Sequence, residues 1–168
     1  MLRRFTRFFA LSVFITSYTF SAAQACSAHD KMAYRAVAER FCTFLDGKRQ
    51  PGTDLFTPSL LKIIAAAQAK NNMIAKAHPD EKPPLGDGIP YQAFPDQAIF
   101  CRPGQNLHSE HQLYMEVAYI FPDEPDADWV DHLKLVKVGT DWKIDDIIYG
   151  HNHTEHLRVV LQNVLAAE

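Results

Sequence analysis

The sequence predicts an α+β fold: two N-terminal helices packed on a curved four-stranded antiparallel sheet, with a further helix at the C-terminus. Three observations predict it. The N-terminal part carries apolar residues at helical spacing, the part beyond residue 97 switches to alternation, and the connections between alternating runs are too short for parallel crossovers. The clearest piece is Trp129 to Tyr149, two alternating runs around a turn carrying Gly139. Trp129, Leu133 and Leu135 share one face of the first run, and Trp142, Ile144 and Ile148 share one face of the second. This hairpin offers a broad apolar surface on which other elements pack.

The chain opens with a basic segment (Arg3, Arg4, Arg7), an apolar run from Phe8 to Phe20 and the small-residue end Ala23-Gln24-Ala25. That is the form of a secretory signal, so residues 1–25 are expected to be removed and residues 26–168 to form a single domain. The run is too short and wrongly flanked for a spanning helix. Removing residues 1–25 takes away three arginines and no acid, leaving 14 basic against 20 acidic side chains, a formal charge of −6, in 143 residues. Such a balance argues against nucleic acid and against an anionic membrane surface as partners.

Cys26 would head the mature chain, the position acylated in bacterial lipoproteins. Ala23-Gln24-Ala25 departs from the usual Leu-x-Gly/Ala pattern, so a periplasmic or secreted protein is the main reading. An outer-membrane lipoprotein anchored through Cys26 is the alternative, and membrane attachment is expected only in that case. Cys42 and Cys101 are the natural disulfide pair for an oxidising compartment. The plain alternative is two buried thiols.

The first helix is placed over residues 28–46 by the stripe Tyr34, Val37, Phe41 and Phe44, with Gly47 as its stop. The second, over 58–77, opens with Thr57 as cap and Pro58 in the first turn. It carries Leu60, Ile64, Ala67 and Ile74 on one stripe, and His78-Pro79 ends it. From His78 to Gln97 five prolines and two glycines exclude a long regular element, so ordered turns are expected, and loops of this kind often carry function. A strand over 98–102 ends in a turn at Pro103-Gly104, and a second runs over 112–121. The hairpin strands cover 129–138 and 142–149. The last helix is expected from about His153 to 166, with Asn152 and Glu155 forming a capping box.

Helix, helix, Pro/Gly loop, then a meander: this order resembles the cone of the nuclear transport factor 2-like superfamily, and more narrowly the bacterial envelope family called DUF3828. The resemblance rests on Phe56-Thr57-Pro58-Ser59-Leu60, on Leu85-Gly86-Asp87-Gly88 with Phe94-Pro95-Asp96, and on Trp142 to Ile147. It spans residues 34–149, and the C-terminal helix lies beyond the superfamily's usual end. It implies an exported protein with no established activity, so no catalytic residue is carried over.

The candidate polar residues of a cone pocket are Glu116, His132 and Asp146. Asp146 falls on the nominal face of Trp142, Ile144 and Ile148, where an apolar setting would raise its pKa and suit it to act as a general base. The preferred reading is structural: a bulge or the strand's end turns Asp146 away, or it binds backbone. His151, His153 and His156 with Glu155 form a cluster whose spacing matches no zinc motif, and the loop acids Asp80, Glu81, Asp87 and Asp96 match no calcium loop. No metal site and no cofactor is assigned. The expected function is a non-enzymatic binding or protein-interaction module of the cell envelope, its partner an envelope protein or a small apolar ligand. The alternative is a small isomerase- or hydrolase-like enzyme using Asp146.

Overall fold

The structure is a computed structural model that describes residues 28–44, 50–86, 88–94, 100–109, 112–150 and 154–167. The expected leader and Cys26 lie outside these residues, as do Asp87, Asp96, His151, Asn152 and His153. It is α+β, with three helices and a four-stranded antiparallel sheet. Helix α1 covers Ala28–Cys42, α2 Pro58–Ala77 and α3 Leu157–Ala166. Strands β1 Phe100–Ser109, β2 Gln112–Ile120, β3 Trp129–Val138 and β4 Asp141–Ile148 follow one another across the sheet as a meander. Val138 and Asp141 close the β3–β4 hairpin over a two-residue turn, and Gly139 sits there at φ 63°, where a side chain would be strained.

One sheet face is the core face. Leu113, Met115, Val117 and Tyr119 of β2, Leu133 and Leu135 of β3, and Ile144 and Ile147 of β4 are buried with Tyr34, Val37, Ala38 and Phe41 of α1. The helices are not arranged as expected. Helix α1 lies over the sheet, touching β1, β2 and β4; α2 packs mainly against α3, and both α2 and α3 meet the sheet at β4. The stripe of α2 is narrow, with Leu60, Ala67 and Asn71 its buried positions. The stronger apolar face of α3, with Leu157, Leu161 and Val164 buried, takes it up.

Two local expectations are corrected. Pro103-Gly104 does not end β1: the strand passes through both, with a register shift between Pro103 and Asn106. As the first strand of the sheet, β1 has one side without a partner strand, so the missing N–H of proline is tolerated there, and the bulge absorbs the irregular residues. A Cβ at Gly104 would stand 2.8 Å from Cβ of Glu116, so glycine is what admits Glu116 to the bulge, where its Oε2 accepts the Gln105 N–H at 2.9 Å. Helix α3 begins at Leu157, later than expected, with His156 as N-cap and no side-chain bond from it. The cap comes instead from Asp146 on β4.

Cys42 and Cys101 are joined, tying the end of α1 to the start of β1 across 59 residues of sequence. Among the described residues no helix is long and apolar enough to cross a membrane. A loop of that length gives the disulfide about 4 kcal/mol of stabilisation in the chain-entropy account. Replacing Cys42 with Ser should lower Tm by about 10 °C or more. The same variant should expose one new thiol, Cys101, to alkylation in the denatured, unreduced protein; an unchanged Tm would show that the bridge does not hold the fold.

Candidate functional site

The Pro/Gly segment between α2 and β1 is ordered as a chain of turns: Gly86 N–H donates to the Pro83 carbonyl (2.8 Å), Gly88 N–H to Leu85 (3.0 Å) and Tyr91 N–H to Ile89 (3.0 Å). Three side chains from three elements pin it down. Asn71 of α2, 5 % exposed, accepts the Leu85 N–H at 2.8 Å. The Tyr149 hydroxyl, just past β4, donates to the Pro90 carbonyl at 2.5 Å. Asp131 of β3, fully buried, accepts the Ala93 N–H on Oδ2 and the Gly150 N–H on Oδ1, both at 2.9 Å. Aromatic packing completes the hold: Tyr91 stacks on Phe56 and leans on Phe44, while Phe94 meets the edge of Trp129, which stacks on Tyr119.

Under this loop is a cleft of about 710 Å³, lined by Phe44 and by loop residues 82–86 and 88–94. Its size is that of a small-molecule site. Among the described residues the loop's part of the lining is proline, glycine, Leu85, Ile89, Tyr91, Ala93 and Phe94, with Gln92 and one charged side chain, Lys82. Burial pushes the Tyr91 phenol pKa up, so it meets the cleft protonated. Beside the cleft, burial and then the Asp131 carboxylate raise the phenols of Tyr119 and Tyr149 as well. Burial also raises Asp131 itself, against the opposing bonds from Gly150 and Ala93. The Tyr119 hydroxyl has no hydrogen-bond partner among the described residues.

The three residues expected to line a pocket lie elsewhere, on the sheet face opposite the core. Glu116, His132 and Ile148 form one row across β2, β3 and β4, and Asp146 stands in the next row beside Lys134. Glu116 Oε1 lies 3.9 Å from His132 Nε2, and its other oxygen serves the β1 bulge. Asp146 is not on the face of Trp142 and Ile144. The register shifts between Lys134 and Leu135, so Asp145 is an extra residue in β4, and Ile147 takes the core position that alternation would give Asp146. Asp146, 4 % exposed, uses Oδ1 to accept the Ile147 and Arg158 N–H groups (2.9 and 3.0 Å), and its Oδ2 lies 2.7 Å from Nδ1 of His156. It is the cap of α3.

At the start of α2 the cap is the Thr57 hydroxyl, which accepts the Leu60 N–H, and Asp145 holds that hydroxyl in place. Asp145 accepts from the hydroxyls of Thr57 (3.0 Å) and Ser59 (3.4 Å) and from Nη2 of Arg158 (2.6 Å). Burial would push its carboxyl up, but the Thr57 hydroxyl and the Arg158 guanidinium outweigh burial and hold it below the ordinary carboxylate range. Among the described residues no group of three or more His, Cys, Asp and Glu is placed to hold a metal ion.

No family model, curated protein or solved structure matches the chain.

The residues that shape the cleft were not singled out from the sequence. Asp131 had a visible signal, since alternation places it between Trp129 and Leu133 on the apolar face. Asn71 likewise falls on the α2 stripe between Ala67 and Ile74.

Two expected outcomes follow from these geometries. Asp146→Ala should cost about 2–4 kcal/mol, because it leaves the α3 N-terminus and a buried Ile147 N–H unsatisfied. Faster hydrogen exchange in residues 157–166 than elsewhere would register it. Asp131 has a raised pKa in the folded state, so the folded chain holds that proton more tightly than the unfolded chain. Its contribution to stability is greatest below the unfolded pKa and declines as pH rises through the folded one. The stability difference between wild type and Asp131→Asn, measured by urea unfolding from pH 4 to pH 7, should therefore shift against wild type as pH rises; a flat difference would contradict the burial of an ionisable Asp131.

Proposed function

We propose that the chain is an exported, non-enzymatic binding module of the bacterial cell envelope, periplasmic or secreted, and that the cleft beneath the Pro/Gly loop receives its ligand. The observation that carries the reading is the construction of that cleft. Its walls combine apolar and aromatic side chains with backbone, Gln92 and Lys82, and its loop is fixed from outside by Asn71, Tyr149 and Asp131. A cleft held in shape before binding loses little entropy when an apolar molecule or a short apolar peptide enters. The Cys42–Cys101 disulfide is the bond expected of an oxidising compartment, which supports export. The order of the motifs supports a place in the DUF3828-like group, on a nuclear transport factor 2-like cone.

The enzymatic alternative has less behind it. A general base needs a lone pair directed at substrate. The Asp146 carboxylate is occupied by two backbone N–H groups and by His156, and Glu116, His132 and Asp146 do not line the cleft.

The test is fluorescence titration of the mature chain, residues 26–168, with the neutral apolar probe N-phenyl-1-naphthylamine. Saturable binding is expected, with a change in Trp129 emission through Phe94. Ile89→Asp, which places a charge in the wall, should weaken the binding about tenfold or more. Absence of saturable binding, or binding indifferent to Ile89→Asp, would remove the cleft from consideration.

A further inference from the structure

Among the described residues the cleft has one charged lining residue, and its placement is specific. Lys82 enters the loop after α2, and its side chain runs over the turn at Gly86. A Cβ built on Gly86 would lie 2.5 Å from Cε of Lys82 and 3.2 Å from its Nζ. The bare backbone of Gly86, at φ 52°, is therefore what lets the lysine stem lie flat and carry its ammonium to the cleft. Every other described lining side chain is uncharged, on a chain whose mature form is net acidic.

We infer that the cleft takes a single-chain amphiphile with one anionic head, the head paired with Lys82 and the apolar tail against Phe44, Ile89, Tyr91 and Phe94. This rests on the cleft being the binding site, and it adds the class of ligand. The apolar walls select the tail without regard to charge. The sign of the head is chosen by Lys82, because a carboxylate entering an apolar cleft loses hydration that only a cation or hydrogen-bond donors replace. Lys82 already has a partner in the fold. An ammonium carries three N–H donors, so the head group adds to that contact and does not require its loss. A cationic amphiphile of equal length gains nothing from the lysine.

The experiment uses a matched pair, decanoate and 1-decanol, each displacing N-phenyl-1-naphthylamine from the mature chain below its aggregation limit. Decanoate should bind about three- to fivefold more tightly, the effect expected of one partly exposed ion pair. Raised salt should narrow that advantage. Lys82→Gln should abolish it while leaving 1-decanol affinity unchanged, and Lys82→Arg should restore most of it. Lys82 is exposed and outside the core, so these variants are expected to fold, with Tm as the check. Equal affinity for the two compounds, or an advantage that survives Lys82→Gln, overturns the inference and leaves the apolar cleft standing. Failure of both compounds to displace a bound probe overturns the amphiphile class, and failure of the probe itself to bind removes the cleft along with it.

Discussion

The structure depends on one irregularity, the extra residue at Asp145 in β4. In a regular strand Asp145 and Asp146 would point to opposite faces, and Ile144 and Ile147 could not share one. The bulge brings both isoleucines into the core and frees two adjacent acids to meet two helix starts. Asp145 gathers the hydroxyls of Thr57 and Ser59 at the beginning of α2, and Asp146 accepts the Arg158 N–H in the first turn of α3. An anion at a helix N-terminus satisfies donors that have no intrahelical partner and lies favourably in the helix dipole. Arg158 then reaches back from α3 to the side chain and carbonyl of Asp145 and to Ser59, so the two helices are cross-tied through one strand. The Thr57 N–H donates to the Ile144 carbonyl, which sets the entry of α2 against β4 and brings α2 and α3 side by side there.

The loop over the cleft follows a related logic. Pro83, Pro84 and Pro90 have no N–H, so the segment cannot be held by a ladder of backbone pairs. Its polar groups are satisfied from outside, by Asn71 on a helix, Asp131 on a strand and Tyr149 on the turn beyond β4. Asp131 matters most, because one carboxylate clasps the loop at Ala93 and the chain at Gly150. The disulfide acts on the opposite wall: it fixes the end of α1 two residues before Phe44, which packs on Phe41 and Tyr91 at the edge of the cleft.

Much of the architecture was legible in the sequence because its signals are local. Thr57-Pro58 marked the start of α2, Gly139 marked the hairpin, and alternation located β2 and β3. The disulfide was legible because only two cysteines fall within the predicted elements. What was not legible required knowledge of distant partners. A Pro-Gly pair reads as a turn unless the strand is known to be an edge with a carboxylate waiting across from it. The start of α3 is set by Asp146, eleven residues before Leu157, and Asn152 with Glu155 offered a closer local pattern. The candidate trio went astray for the same reason. One inserted residue in β4 exchanges the faces of all that follows, and nothing in Trp-Lys-Ile-Asp-Asp-Ile-Ile says where it is inserted. Asp131 was visible on an apolar face, yet an acid there has no defined role until the two N–H groups it serves are placed.

A buried carboxylate becomes a base or a fastening according to what its lone pairs face. In this fold Asp131 and Asp146 each face two backbone N–H groups, donors that do not leave during any reaction. Those lone pairs are taken up in positioning the loop and in starting α3, so neither carboxylate turns them toward a substrate. Among the described residues that line the cleft there is no carboxylate, and the cleft depends on those fastenings for its shape. Binding and fold are thereby separable: the loop's inner surface can change side chains without touching Asn71, Asp131 or Tyr149. In the proposed binding mode a ligand's polar end meets Lys82, the Gln92 amide and backbone groups, and its apolar end meets the aromatic wall. That division of labour, with acids used for construction and the cleft left for contact, is the physical basis of the binding role proposed above.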